Sequence, residues 1–277
     1  MSGTDFLAGM KRASEERLAT ARAALSEAEL LQRIADVPAA PGLQLSADGF
    51  DLIAEVKRRS PSAGQLATEA LEPAAQASAY AAGGAAALSV LTEPTQFAGE
   101  LAHLSAVAQA VPTVPAMRKD FLVSPYQVLE ARAAGAGGVL LIAAMLDAAT
   151  LTDMLKTTLD LGMFALIEAF DSQDLAHAVP IIQGLGAATG PTGVRLLIGV
   201  NCRDLRTLAV DFDRFAELAP QLPTDLPRVA ESGVDSARQA ARVAELGYGL
   251  ALVGTALMRA ESPANAAAEL LAAGRRQ

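Results

Sequence analysis

The chain has 277 residues, of which 52% are hydrophobic, 4% aromatic and 19% charged, and its net charge at pH 7 is −9. An acidic chain with a pI near 4.8 is poorly suited to nucleic acid or to an anionic membrane, because both bind basic surfaces. Its single cysteine, Cys202, cannot form an intramolecular disulfide, and one cysteine with two histidines offers too few ligands for a Cys/His metal cluster.

No targeting or membrane signal is visible in the sequence. The first residues, "MSGTDFLAGMKRASEERL", lack the basic and then apolar order of a signal peptide. The longest strongly apolar run, "GVLLIAAML" at 138–146, is far shorter than the ~18 residues that a membrane-spanning helix needs. We therefore expect a cytoplasmic protein without a membrane partner.

The chain begins with a helical segment and continues with alternating strands and helices. Residues 5–36 are rich in Ala, Glu and Arg and predict one amphipathic helix that ends before the Pro-containing "DVPAAPG". Eight short apolar runs typical of buried strands follow: "LIAEV", "AALSVL", "VPAMRK", "GVLLIA", "FALIEAF", "LLIGVNC", "RVAESG" and "LALVG". The segments between them have helical patterns, several of which open with Pro, Asp or Ser and close on Gly.

Eight strand–helix units with continuously apolar strands predict a parallel sheet covered by helices. The number eight favours an α/β fold with a single (β/α)8 TIM barrel over 52–275, preceded by the extra helix at 5–36, which we expect to pack across the barrel. A doubly wound sheet is the alternative, and the absence of G-x-G-x-x-G after the first strand argues against it. The length also leaves two domains open, although barrels of this size commonly form one unit over 1–277.

The segment "IIQGLGAATGPTGVR", at 181–195, is rich in Gly, Pro and Thr. This composition predicts an extended loop between the fifth helix and the sixth strand. Such a connection lies on the face of the barrel away from the active site.

Charged and polar side chains stand near the carboxyl ends of several strands. Glu55 and Lys57 point to the same side of the first strand because side chains alternate between faces. The third and fifth strands end with Lys119 and Glu168, and the sixth is followed by a further basic residue. These ends meet at the rim where barrels carry their active sites. A structural ion pair would explain any one of these charged residues. The convergence of several of them at one rim predicts acid–base chemistry.

The loops after the seventh and eighth strands, "AESGV" and "LVGTALM", resemble phosphate-binding turns. In many barrels these loops hold phosphate through backbone N–H groups, and glycine permits close approach. The predicted phosphate cradle consists of Ser232, Gly233, Gly254 and Thr255. The alternative is two ordinary strand-to-helix turns, since Gly and Ser are common there.

Together these motifs resemble the indole-3-glycerol phosphate synthase family, (β/α)8 enzymes of tryptophan biosynthesis. The matching segments cover nearly the whole chain, in order and at similar spacing: "IAEVKRRSPSAG", "ALSVLTEPTQFAGE", "MRKDFLVSPYQVLEARAAGAGGVLLI", "LIEAFD", "IGVNCRDLRTLAVD", "VAESGV" and "LVGTALMRA". The resemblance implies a ring closure in which 1-(2-carboxyphenylamino)-1-deoxyribulose 5-phosphate loses CO2 and water to give indole-3-glycerol phosphate. It also implies Lys/Glu general acid–base catalysis with no metal and no organic cofactor.

The resemblance assigns roles by position. Lys119 matches the general acid that protonates the substrate carbonyl, and Glu168 matches a carboxylate that removes a proton and stabilises charge. Glu55 and Lys57 match a pair associated with the substrate carboxylate, the departing hydroxyl and the phosphate. The implied substrate-binding residues are Ser60, Phe97, Asn201 and Arg203, and the implied phosphate-binding residues are the four of the cradle. Phe97 is also compatible with simple loop packing.

Two other functions fit a phosphate-binding barrel. A relative of phosphoribosylanthranilate isomerase would use a Cys and Asp pair, whereas the strand ends here carry Glu and Lys. A non-catalytic binding barrel would keep the phosphate loops without needing four acid–base residues. Cys202 follows Asn201 on the opposite strand face, so we expect a buried core thiol and not a nucleophile. Self-association is left open by the sequence.

Overall fold

The computed structural model describes residues 6–61, 64–66, 72–186, 189–190, 192–205 and 208–275. The barrel strands are β1 Asp51–Val56, β2 Ala87–Leu91, β3 Ala116–Lys119, β4 Gly138–Ile142, β5 Phe164–Ala169, β6 Leu196–Asn201, β7 Arg228–Glu231 and β8 Leu250–Val253. The helices are α1 Phe6–Ala24, α2 Glu27–Ala35, α3 Pro73–Ala82, α4 Pro94–Phe97, α5 Leu101–Ala110, α6 Pro125–Ala133, α7 Ala148–Asp160, α8 Ser172–Gly184, α9 Arg214–Leu218, α10 Ala237–Glu245, α11 Thr255–Arg259 and α12 Pro263–Arg275.

The eight strands form one closed parallel barrel. Strands that follow one another in the chain are neighbours in the sheet, and β1 completes the ring by pairing with both β2 and β8. Every residue of β1, β5 and β6 is buried, as expected for parallel strands that pack side chains inside the barrel and helices outside it. The predicted (β/α)8 barrel and its eight strands are confirmed.

The N-terminal segment predicted as one helix over 5–36 forms two, α1 and α2. Ser26 breaks the segment, because its side chain accepts from the backbone N–H of Glu29 while the Glu29 carboxylate accepts from the backbone N–H of Ser26. This reciprocal capping box starts a new helix. The composition of the segment did not indicate the break, although the S-x-x-E spacing of a capping box was present in the sequence.

Helix α1 lies across the carboxyl ends of β3 and β4. The Lys11 ammonium donates to the carbonyl of Met145, just after β4. The Tyr126 hydroxyl of α6 donates to the carbonyls of Ala21 and Leu25, while α2 packs on the outside of α6. The extra segment therefore covers part of the rim that carries the candidate site.

The 181–195 segment is more structured than predicted. Helix α8 continues to Gly184, and a two-residue antiparallel ladder joins Thr189–Gly190 to Gly193–Val194. Val194 also pairs with Leu43, in the segment before β1. This hairpin precedes β6 and so lies at the amino-end face, as predicted. Residues 187, 188 and 191 fall outside the described part of the chain.

Among the described residues, no helix is both long and apolar enough to cross a bilayer.

Candidate active site

A cavity of about 580 Å³ opens at the carboxyl ends of the strands. Eleven of the twelve residues predicted for the site line it. The exception is Glu168, which is fully buried and reaches the cavity through its contact with Lys119. The lining residues from the sequence analysis are Glu55, Lys57, Ser60, Phe97, Lys119, Asn201, Arg203, Ser232, Gly233, Gly254 and Thr255.

The Lys119 ammonium occupies the floor of the cavity among carboxylates. Lys119 Nζ lies 3.3 Å from Glu168 Oε2 and 4.0 Å from Glu231 Oε2. These three residues come from β3, β5 and β7, and alternate strands of a barrel point their side chains into one layer. The Lys119 side chain is 17% exposed while both carboxylates are buried, so the ammonium is the most exposed member of the cluster.

The cluster shifts the protonation of its members. Burial by itself lowers the pKa of Lys119, but attraction to the carboxylates of Glu168, Glu231 and Glu55 outweighs this and leaves that pKa above its usual value. Burial, with repulsion from Glu168, raises the pKa of Glu231 well above its ordinary value. Lys119 thus carries a proton at neutral pH, and Glu231 retains one far more readily than an exposed glutamate.

Glu231 is a site residue that the sequence analysis missed. It is the last residue of β7 and is 1% exposed, and no donor from the described part of the chain reaches its two carboxylate oxygens. The signal was available, because "VAESGV" places an acidic residue at the end of an odd-numbered strand, as the first and fifth strands do. The Ser-Gly turn that follows it matched a phosphate-binding pattern, so the sequence predicted Ser232 and Gly233 instead.

Glu55 and Lys57 form an ion pair beside the β8 loop. Lys57 Nζ lies 2.6 Å from Glu55 Oε1. A Cβ on Gly254 would stand 2.2 Å from that oxygen and 2.9 Å from that nitrogen. Only glycine therefore lets the β8 loop approach the pair so closely, and the contact brings a cation next to the predicted phosphate cradle.

The β7 loop turns sharply at Ser232 and Gly233. Both have positive φ, 65° and 66°, and a Cβ on Gly233 would lie 2.7 Å from Cys202 Sγ. Cys202 is fully buried, and burial raises the pKa of its thiol to about 11. The thiol is packed behind the turn and is a core residue, as predicted, which removes the cysteine that the isomerase alternative requires.

Asn201 and Arg203 extend the wall after β6. The Asn201 side-chain oxygen accepts from the backbone N–H of Arg203 at 2.9 Å, and Arg203 Nη1 donates to the carbonyl of Leu208 at 3.3 Å. These bonds hold a polar amide and a guanidinium at the cavity wall. The Arg203 guanidinium joins Lys57 and Lys119 as a third cationic group in a cavity that is also lined by the carboxylates of Glu55 and Glu231.

Three phenylalanines form an aromatic wall opposite the phosphate cradle. Phe97 in α4 and Phe6 in α1 both pack on Phe121, with ring centroids 6.2 and 6.1 Å from that of Phe121, and all three line the cavity. Phe97 therefore packs locally and also contributes to the wall. Phe6 and Phe121 were not predicted, since an aromatic residue in a helix or after a strand does not by itself indicate a pocket.

Solved structures similar to this chain share its fold. A 3-hexulose-6-phosphate synthase from Salmonella typhimurium matches with a TM-score of 0.60 at 13% identity, covering 81% of this chain and 98% of the other. A thiamine phosphate pyrophosphorylase from Pyrococcus furiosus matches with a TM-score of 0.57 at 17% identity, covering 82% and 96%. At these sequence identities the similarity shows a shared barrel fold and carries no information on function.

Sequence comparison is more specific. A family model described as indole-3-glycerol phosphate synthase matches residues 10–270. An indole-3-glycerol phosphate synthase of Nocardioides sp. is 47% identical over 264 residues, covering 95% of each chain. One from Kineococcus radiotolerans is 44% identical over 277 residues, covering 98% of this chain and 94% of its own. The chain belongs to the indole-3-glycerol phosphate synthase family.

Proposed function

We propose that the chain closes the indole ring of indole-3-glycerol phosphate from 1-(2-carboxyphenylamino)-1-deoxyribulose 5-phosphate, releasing CO2 and water. The observation that carries this proposal is the Lys119 ammonium, held 3.3 Å from Glu168 in the floor of a cavity that is also lined by an aromatic wall and by the basic side chains of Lys57 and Arg203. This arrangement matches a substrate with an aryl ring, a carbonyl and two anionic groups.

Lys119 acts first as general acid. The ring carbon that carries the carboxylate attacks the ribulose carbonyl, and Lys119 donates a proton to the oxygen as negative charge develops there. Its raised pKa keeps it protonated at neutral pH, and a charge already in place needs no reorganisation during the step. The carboxylate then leaves as CO2, and its bonding electrons return to the ring system.

Dehydration completes the ring. The new hydroxyl departs as water after a second proton transfer, and a base removes a proton so that the five-membered ring becomes aromatic. Glu168 is the proposed base. It does not line the cavity, so the substrate proton passes to its carboxylate by way of Lys119 Nζ, 3.3 Å away, which lost its own proton in the first step. The paired Glu55 and Lys57 stand on the β8 side, where they serve the departing hydroxyl and the phosphate.

Substrate binding divides between the two ends of the cavity. The phosphate is proposed to lie at the turns containing Ser232, Gly233, Gly254 and Thr255, beside Lys57. The aryl ring lies against Phe97 and Phe121, and the substrate carboxylate lies within reach of Arg203. Ser60 is buried and lines the cavity at the β1 loop, on the side where the ribulose chain is proposed to lie.

The decisive experiment incubates the purified chain with the carboxyphenylamino substrate without added metal. Release of CO2 together with indole fluorescence supports the proposal. An isomerised product without CO2 would point to the isomerase alternative, and tight binding without turnover would point to a binding barrel. We propose action in the cytoplasm and a small-molecule substrate as the principal partner.

A further inference from the structure

One side chain of the N-terminal segment joins two buried carboxylates near the aromatic wall. Arg17, in α1, places Nη2 2.8 Å from Asp120 Oδ1 and Nη1 3.5 Å from Glu93 Oε1. The Arg17 side chain is 27% exposed, whereas the other two are 1% and 0% exposed. The positive charge of the guanidinium therefore offsets part of the cost of burying the two carboxylates.

Glu93 orients the helix that carries Phe97. It is the N-cap residue of α4, and its carboxylate accepts from the backbone N–H groups of Thr95, Gln96 and Phe97. The oxygen that faces Arg17, Oε1, also receives the Thr95 N–H at 2.9 Å. Because α4 is only one turn long, its direction, and so that of Phe97, is fixed by a few contacts: this carboxylate at its N-terminus and the Arg59 guanidinium, which donates to the carbonyls of Thr95 and Gln96.

Asp120 fixes the second ring of the wall. Its Oδ1 accepts the backbone N–H of Phe121 at 2.8 Å and also receives Arg17, while its Oδ2 accepts from Thr92 Oγ1 at 2.7 Å and from Arg118 Nη2 at 3.3 Å. Asp120 thus holds the backbone turn that presents Phe121. Helix α1 contributes once more through Phe6, which packs on Phe121.

The Lys119 side chain is held by a different set of contacts. Its ammonium pairs with Glu168 and Glu231, and its backbone pairs with Leu91 in the β2–β3 ladder. The side chain points into the barrel, whereas Arg118 and Asp120, one residue on either side, point outward toward α1. Loss of Arg17 would therefore leave the acid–base cluster in place.

We propose that Arg17 is a positioning residue for the aromatic wall and so sets affinity for the aryl part of the substrate without taking part in the chemical steps. This inference rests on the proposed ring closure. It assigns to α1 a specific role in substrate recognition, exerted through two carboxylates and not by direct contact with the reacting atoms.

The test compares Arg17→Met with Arg12→Met, since Arg12 is an exposed residue of the same helix. Arg17→Met is expected to raise KM about tenfold, because a misplaced wall weakens binding, while kcat changes less than about twofold. Inhibition by inorganic phosphate, which probes the opposite end of the cavity, should not change. Arg17→Lys retains a charge that can reach one carboxylate and should recover part of the affinity.

The outcomes separate the two proposals. Failure of the unmutated chain to turn over the substrate would contradict the proposed ring closure itself. Turnover by the unmutated chain with equal KM in Arg17→Met and Arg12→Met, or a loss confined to kcat, overturns the role of Arg17 alone. Should Arg17→Met not fold, the same comparison of KM, kcat and phosphate inhibition is made on Arg17→Lys, where an unchanged KM overturns the role.

Discussion

Lys119 Nζ and Glu168 Oε2, from β3 and β5, lie 3.3 Å apart at the floor of the cavity, and only the lysine reaches the open space. The pairing makes the ammonium the sole member of the pair that can meet a substrate oxygen. Lys119→Met keeps the length of the side chain and removes the proton donor. We expect substrate binding to persist while kcat falls about 10³-fold, in the range that general acids contribute, measured as indole fluorescence.

Lys156→Met is the matched control, because Lys156 is exposed on α7 and its replacement should leave turnover unchanged. Turnover by Lys119→Met within tenfold of the unmutated rate would exclude Lys119 as the general acid.

Sequence patterns predicted the barrel because each strand–helix unit follows short-range rules, and the number of strands then implied closure. Alternation along the first strand placed Glu55 and Lys57 on one face, and the strand ends singled out Lys119 and Glu168; the family resemblance added Ser60, Phe97, Asn201 and Arg203. Long-range contacts were not predictable in this way. Arg17 meets Asp120 across 103 positions, and no periodicity in either segment encodes that pairing.

Glu231→Gln should change how stability depends on pH. The pKa of Glu231 is raised in the folded chain. At a pH above the pKa of Glu231 in the unfolded chain, the unfolded chain has therefore lost a proton that the folded chain still holds. The free energy of unfolding contributed by this group therefore falls as pH rises, by about 1.4 kcal/mol per unit until the folded pKa is reached. The glutamine variant cannot release this proton and should be the more stable form at pH 8.

Urea unfolding at pH 4.5 and pH 8 measures this effect. The two forms should differ little at the lower pH and diverge at the higher one. Glu261→Gln, at an exposed position, is expected to follow the unmutated chain. A Glu231→Gln variant that loses stability at pH 8 would show that the carboxyl group is ionised and stabilising, contrary to the raised pKa.

Gly254→Ala should impair activity with little effect on folding. Gly254 has a φ of −124°, so alanine would not need a positive φ there, but the added Cβ would stand 2.2 Å from Glu55 Oε1. The ends of Glu55 and Lys57 must move aside, so we expect kcat/KM to fall about 10²-fold, the scale of a 1 Å misplacement. The Tm should stay within a few degrees of the unmutated value.

Gly9→Ala is the control for that substitution, since a Cβ at Gly9 in α1 meets nothing within 4 Å. It should leave kcat/KM unchanged and slightly raise Tm. Equal activity in the two alanine variants would show that the Glu55–Lys57 pair tolerates displacement and has no close role in the reaction.

Inorganic phosphate should compete with the substrate at the β7 and β8 loops. Lys57 borders Gly254, and the turn at Ser232 and Gly233 brings backbone close to the same place, so an anion there would exclude the substrate phosphate. Phosphate is expected to raise the apparent KM without lowering kcat.

Gly233→Ala strains a residue with φ of 66° and should weaken this inhibition, whereas Gly162→Ala strains one with φ of 71° at the opposite face and should not. Both substitutions cost about 1–3 kcal/mol of backbone strain, and the Cβ at Gly233 also crowds Cys202 Sγ, so phosphate inhibition is compared at a temperature well below the Tm of either variant. Equal phosphate inhibition in the two variants would place the anion elsewhere.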